Sequence, residues 1–273
     1  MQTVVQLATG PGFGIDAVTC TDDHSRWSAP EVEHDHELVL VRRGMFRRRS
    51  AGREAVIDTT MAYLSASATE EQYAHPAGGD ICTVITVRPE LWQSLTGDPK
   101  RFDRSTIYVD ARLDLVHRRV LAGARGGDTE FGVAEELLRL IRHAVGQVAR
   151  VPGGGGSGRQ KLVDRARAAI IDRHPDASGL LPLARLLAVS PYRLSRAFST
   201  ELGVTLTCYR NRVRVAWALD RLEQGTSSLA DLAADLGFAD QAHLSRTVRQ
   251  HTGRTPATVR RLLAASGRGE DST

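Results

Sequence analysis

Side chains able to hydrogen-bond a nucleic acid recur twice toward the end of this sequence, at matched spacing. Leu194-Ser195-Arg196 returns as Leu244-Ser245-Arg246; seven residues past each arginine stands a glycine, Gly203 and Gly253, and two further on a threonine, Thr205 and Thr255. Upstream, Leu183-Ala184 and Leu187 match Leu232-Ala233 and Leu236, with Val189 answering Phe238. The offset is 50 residues in the later segment and 49 in the earlier, so one copy has an extra residue between its segments, where insertions are tolerated. On a helix, Leu194, Phe198 and Leu202 share one stripe, as do Leu244 and Val248. The first copy then offers Tyr192, Arg193, Ser195, Arg196 and Ser199 to a partner, and the second offers Gln241, Ala242, His243, Ser245, Arg246 and Arg249. The chemistry open to such sets is recognition: Arg takes the two acceptors of guanine, Gln pairs bidentately with adenine, and Ser or Tyr bonds a base or a phosphate.

A reading helix needs a second helix across a tight turn to hold it. Seven short helices are expected, over 161–173, 183–187, 191–202, 207–223, 229–236, 241–251 and 256–265. Ser228 precedes the fifth with Asp231 three residues on, Gly203 and Gly253 end two of them, and Pro256 sits in a first turn. Each copy reads as helix, turn, helix, with Gly237 in the second turn and Ala188 in the first. Any three-helix packing imitates one such motif; two in register are far more specific. The alternative is a helical-repeat scaffold for protein partners, which ordinarily needs three or more units. Trp217, with Val213, Ala216 and Leu219, reads as core of the helix joining the copies. Arg210, Arg212 and Arg214 alternate and cannot all face one way, which leaves one or two for phosphate.

Charge divides the chain. Residues 159–268 hold 18 Lys and Arg against 9 Asp and Glu, a balance of +9, while residues 1–158 hold 18 against 21, a balance of −3. The basic half suits a polyanion, because each phosphate neutralised releases condensed counterions; a solvated basic surface is the plainer reading of the same count. Pro152, four glycines, Ser157 and Gly158 cannot hold regular structure and mark a linker where the sign changes. The expected organisation is α+β in two domains: residues 1–150, a Gly-rich linker at 151–160, and an all-helical domain at 161–266.

In residues 37–87, short β-branched runs (Leu38 to Val41, Met45 to Arg47, Ala55 to Ile57, Met61 to Leu64, Cys82 to Val87) separated by Gly and Asp turns imply an antiparallel barrel or sandwich. Helical patterns follow at 113–122 and 131–148; in the second, Leu137, Leu138, Ile141, Val145 and Val148 form a stripe that packs on its own sheet or on a second copy. Cys20, Cys82 and Cys208 are too far apart for a CxxC knuckle and read as reduced thiols. Arg42, Arg43, Arg47, Arg48 and Arg49 read as a solvated surface, with an acidic ligand or a contact with Glu31, Glu33 and Glu37 as alternatives. Met1 to Gly14 lacks the basic head and apolar run of a signal peptide and no stretch reaches bilayer-spanning length, so no membrane partner and a cytoplasmic location are expected.

Over residues 163–262 the chain resembles the AraC family of bacterial transcription regulators. Leu183-Ala184, Ser190-Pro191, Leu194 to Phe198, Gly203, the run Gly237 to Arg246, Gly253 and Thr255-Pro256 carry the likeness. The resemblance implies double-stranded promoter DNA as partner, two recognition helices in successive major-groove segments, and contacts from Tyr192, Ser195 and Arg196, and from Gln241, Ala242, His243, Ser245 and Arg246. Activation through RNA polymerase is the common family behaviour. The chain departs from the pattern at Ala188, where a turn glycine often stands, and at Val248, where an aromatic is frequent.

Residues 1–150 resemble the cupin-like barrels that precede such DNA-binding domains, which implies a small-molecule effector and homodimerisation. His34-Asp35-His36 carries this likeness, with His75 and Cys82 available to complete a ligand or metal site for zinc or another divalent ion. The cupin glutamate is missing, Leu40 and Val41 standing where it would fall, so the metal-dependent enzymes of that fold are the competing class and catalysis is not expected.

Overall fold

The computed structural model describes residues 1–32, 34–96, 106–126, 131–148, 157–225 and 228–265. The chain divides into two compact units, residues 1–149 together with 261–273, and residues 150–260.

The first unit holds ten strands and three helices among the described residues: β1 (Gln2–Gly10), β2 (Phe13–Cys20), β3 (Glu31–Val32), β4 (His36–Arg43), β5 (Met45–Ser50), β6 (Arg53–Asp58), β7 (Met61–Ser65), β8 (Glu70–Ala74), β9 (Asp80–Val87), α1 (Pro89–Thr96), β10 (Thr106–Tyr108), α2 (Ala111–Arg125) and α3 (Gly132–Val148). They form a six-stranded sheet in the order β1-β2-β9-β4-β7-β10 and a four-stranded sheet β3-β8-β5-β6, antiparallel at every described pairing. The order of strands then helices is the α+β layout that the sequence implies.

Parity decides which side chain goes where. Ile15, Leu38, Leu40, Ala62, Leu64, Ile85 and Val87 lie on one face of the larger sheet and share a core with Trp92 of α1, Leu113 and Val120 of α2, and Val133, Leu137, Leu140, Ile141 and Ala144 of α3. Val39, Val41, Tyr63 and Cys82 alternate with them and are buried too. Covered on both faces, β4 therefore reads as an unbroken apolar run. On α3 the inward stripe includes Leu140, while Leu138 is exposed. The arginine cluster is internally paired: Arg47 and Arg49 contact Glu54 at 2.7 and 2.6 Å and lie over Trp27. Arg48 is buried and paired with Glu71, which also accepts from Ser65 and Tyr73 at 2.7 Å. Glu54 and Glu71 are thus partners of Arg47, Arg48 and Arg49.

The second unit holds α4 (Ser157–Ile171), a 3-10 turn (Pro175–Ser178), α5 (Leu180–Leu186), α6 (Pro191–Leu202), α7 (Leu206–Glu223), α8 (Leu229–Asp235) and α9 (Gln241–Thr252), and α10 (Pro256–Ala265) closes the order. Seven α-helices, α4 to α10, are thus present among the described residues of 157–265, as the sequence implies. α4 starts four residues earlier than expected, inside the expected linker. Gly158 falls in its first turn, where backbone N–H groups have no helical partner and a glycine disturbs little. No helix of the described residues is long and apolar enough to cross a membrane.

Candidate nucleic-acid interface

The two helix-turn-helix copies repeat the same local chemistry. α6 and α9 are both 12 residues long. Ser190 caps α6 by accepting from the Arg193 N–H, and Asp240 caps α9 by accepting from the His243 N–H. Each helix ends at a left-handed glycine, Gly203 and Gly253, whose N–H reaches Ser199 and Arg249 carbonyls. Between the paired helices, Val189 N–H bonds the Ala184 carbonyl at 3.0 Å and Phe238 N–H bonds Ala233 at 2.8 Å. The extra residue of the second copy is Ala239, inserted between this closed turn and the Asp240 cap.

Burial repeats as well. Leu194, Ala197 and Phe198 in α6, and Leu244, Thr247 and Val248 in α9, are buried. Ser195 and Ser245 are half-buried, and Arg196 and Arg246 are exposed at equivalent positions. Tyr192, 68% exposed, and Arg193 stand in the first turn of α6; Gln241 and Ala242 are exposed in that of α9, with Arg249 two turns on. The phenol of Tyr192 accepts from Arg196 Nη1 at 2.9 Å, which aims the guanidinium along the outer face of α6. These two and Arg193 border an open depression whose other wall is Arg159 and Leu162 of α4. Arg159 belongs to the stretch expected as linker, so composition gave no signal for it.

His243 is the least free of the expected readers. Its ring stands edge-on to Phe238 at 5.3 Å, and its Nδ1 lies 3.4 Å from the Ala239 N–H, so it also braces the turn. Arg212 and Arg214 of α7 are buried rather than available to phosphate. Arg214 donates to the Leu236 carbonyl at 2.9 Å and covers Phe238 at 3.6 Å, clamping the second turn from behind. Arg210 donates to the Ser178 carbonyl. Trp217 is half-buried, with Arg173 over its ring at 3.9 Å.

In the first unit the histidine pair expected to ligate together does not assemble with its partners. His34 sits exposed in the bend before β4, where its carbonyl accepts from Ser67. His36 shares parity with Leu38 and Leu40, faces the helices, and stacks on Trp92 at 4.9 Å; burial lowers its pKa. Cys82 lies on the opposite face of the sheet, and its register partner Val41 is five residues from His36, about 16 Å along the strand. His75 and Cys82 are instead neighbours of Asp80. Nothing local in the sequence joins Asp80 to Cys20, sixty residues away.

Comparison with known proteins bears on the second unit most directly. Residues 183–262 match the helix-turn-helix domain family. The transcriptional activator RhaS of Escherichia fergusonii is 23% identical over 255 residues, covering 87% of this chain and 89% of that protein. The arabinose operon regulatory protein of Escherichia coli is 31% identical over 131 residues, 48% of this chain and 43% of its own length. Among solved structures, ToxT of Vibrio cholerae aligns over 92% of this chain and 98% of its own, at 12% identity and a TM-score of 0.39. The C-terminal region of the chain is a helix-turn-helix domain of the AraC type, and the chain is a DNA-binding transcription regulator built on it.

Proposed function

We propose that the second unit reads an asymmetric two-part DNA site, α6 and α9 each entering its own major-groove segment, with the first unit binding a small-molecule effector and pairing two copies of the chain. The observation that carries the DNA reading is the repeated order of burial along α6 and α9, which leaves Arg196 and Arg246 exposed at matching positions beside unlike neighbours. Tyr192 and Arg193 accompany one arginine, Gln241 and Ala242 the other, so the two helices select different base sequences. The +9 balance of residues 159–268 supplies the sequence-independent attraction to phosphate. Exposed Leu138 on α3, with exposed Phe131 just before it, supports pairing through the first unit. RhaS is named an activator, and contact with RNA polymerase at a promoter, in the cytoplasm, is the corresponding role here.

Footprinting and gel-shift titration test this reading. Arg196→Ala and Arg246→Ala should each weaken specific binding by roughly 1–3 kcal/mol and relax base preference in a different half of the site. Protection of a single major-groove segment per subunit, or unchanged affinity and preference in both variants, would refute it.

A further inference from the structure

Outside the DNA-binding unit, the register of one strand pair and one short loop brings Cys20, His75 and Asp80 together. Cys20 ends β2 and Asp80 begins β9, directly opposite each other in the antiparallel ladder. Opposed residues share a sheet face, here the one turned away from the core shared with α1–α3. His75 follows β8 in the loop to β9, held by its N–H to the His24 carbonyl at 2.9 Å and by ring contact with Phe46 at 5.9 Å. Gly79 permits the approach: a Cβ there would stand 2.2 Å from the Cys20 carbonyl oxygen, so only glycine lets this loop lie against the end of β2.

One ligand atom from each of Cys20, His75 and Asp80 consequently lies within 4.8 Å of the other two. A second observation points to a missing cationic partner. Asp80 is 5% exposed; its Oδ1 accepts from Cys82 Sγ at 3.0 Å, but its buried Oδ2 accepts no hydrogen bond even though His75 Nε2 is 3.1 Å away. His75 Nδ1 is buried and without a hydrogen-bond partner as well. Buried polar atoms are rarely left so.

We propose that Cys20, His75 and Asp80 form a binding site for a divalent transition-metal ion, zinc above all, with Cys82 holding Asp80 in place from behind. A thiolate, an imidazole and a carboxylate are a donor set for borderline ions and not for magnesium or calcium. Bonds of about 2.0–2.3 Å bridge the cluster after small side-chain movements. Binding converts the Cys20 thiol to thiolate and releases its proton to solvent. Three protein ligands leave a fourth position for water or an exogenous donor. The site goes beyond the DNA reading and stands or falls separately from it.

The test uses the full-length chain, stripped with chelator under reducing conditions and titrated with Co(II), then Zn(II). The expected result is one equivalent of cobalt per chain with a thiolate-to-cobalt charge-transfer band, displaced by zinc; magnesium gives no response. Cys20→Ser removes the band, and His75→Ala and Asp80→Asn each weaken zinc at least as strongly as loss of a supporting residue does. Cys82→Ala keeps the band while lowering affinity by about 10- to 100-fold. His34→Ala and Cys208→Ser retain full binding. His75→Cys restores zinc binding, which separates loss of a ligand from loss of folding. Absence of stoichiometric binding by the unsubstituted chain overturns the proposal, as does binding that survives both Cys20→Ser and His75→Ala.

Discussion

Exchanging the turn residues of the two helix-turn-helix copies should move stability in opposite directions by similar amounts. Ala188 and Gly237 occupy the same place in the two turns, with φ of 55° and 67°. Each N–H bonds a carbonyl three residues back, Arg185 and Ala234, both at 3.0 Å. In this left-handed region an L side chain costs about 1–2 kcal/mol, while glycine sacrifices about 0.4–1 kcal/mol of unfolded-state entropy. The balance favours glycine by about 1 kcal/mol. Sterics do not alter the figure at the second turn, because a Cβ on Gly237 would meet nothing nearer than Arg214 Nη2 at 3.9 Å. Ala188→Gly should therefore raise the unfolding temperature of the second unit by roughly 3–6 °C, and Gly237→Ala should lower it by as much. The double exchange should return near the starting value if the turns act independently. Thermal and urea unfolding of the full chain, followed by circular dichroism, measures this. The urea slope should be unchanged and so should DNA affinity, since neither residue is a reader. A lower or unaltered midpoint in Ala188→Gly would show that the first turn is not strained in the way its φ implies.

Three further outcomes follow from the first unit. His117 is buried, with Nε2 2.9 Å from Thr83 Oγ1, and burial pushes its pKa down to about 4 from 6.5. The unfolded chain binds the proton first, so stability is full above about pH 6.5 and falls between there and pH 4, by ~3 kcal/mol in all. His117→Asn should flatten that part of a stability-against-pH curve. Glu71→Ala, which removes the carboxylate accepting from Arg48, Ser65 and Tyr73, should cost about 3–5 kcal/mol in urea unfolding, and replacing Arg48 and Glu71 together by apolar residues should recover most of it. Gly79→Ala should destabilise the unit by roughly 1–3 kcal/mol, read as a lower urea midpoint, because its Cβ collides with the Cys20 backbone.

The helical half was legible because helix ends are local events. Gly203 and Gly253 act on carbonyls four residues back, so their place in the sequence marks where α6 and α9 end; the caps Ser190 and Asp240 act as locally at their starts. The exposed arginines were legible for the same reason: with Leu194 and Leu244 pointed inward, a period of 3.6 sends Arg196 and Arg246 outward. Strands β4 and β9 were visible as apolar runs.

What composition and spacing left undecided was the face and the register. Arg212 and Arg214 look like Arg196 in the sequence, yet α7 lies between the two motifs and buries them. Ser157 and Gly158 look like linker and open a helix. His34 and His36 have the spacing of a ligand pair, but a strand's alternation states only that neighbours part, not which side the helices will cover; covering by Trp92 and α2–α3 turned His36 away from Cys82. The pairing of β2 with β9 then placed Cys20 beside Asp80, a contact created by non-local hydrogen bonds between strand ends sixty residues apart. Local chemistry determined α6 and α9, and tertiary pairing alone decided which cysteine, histidine and carboxylate would meet.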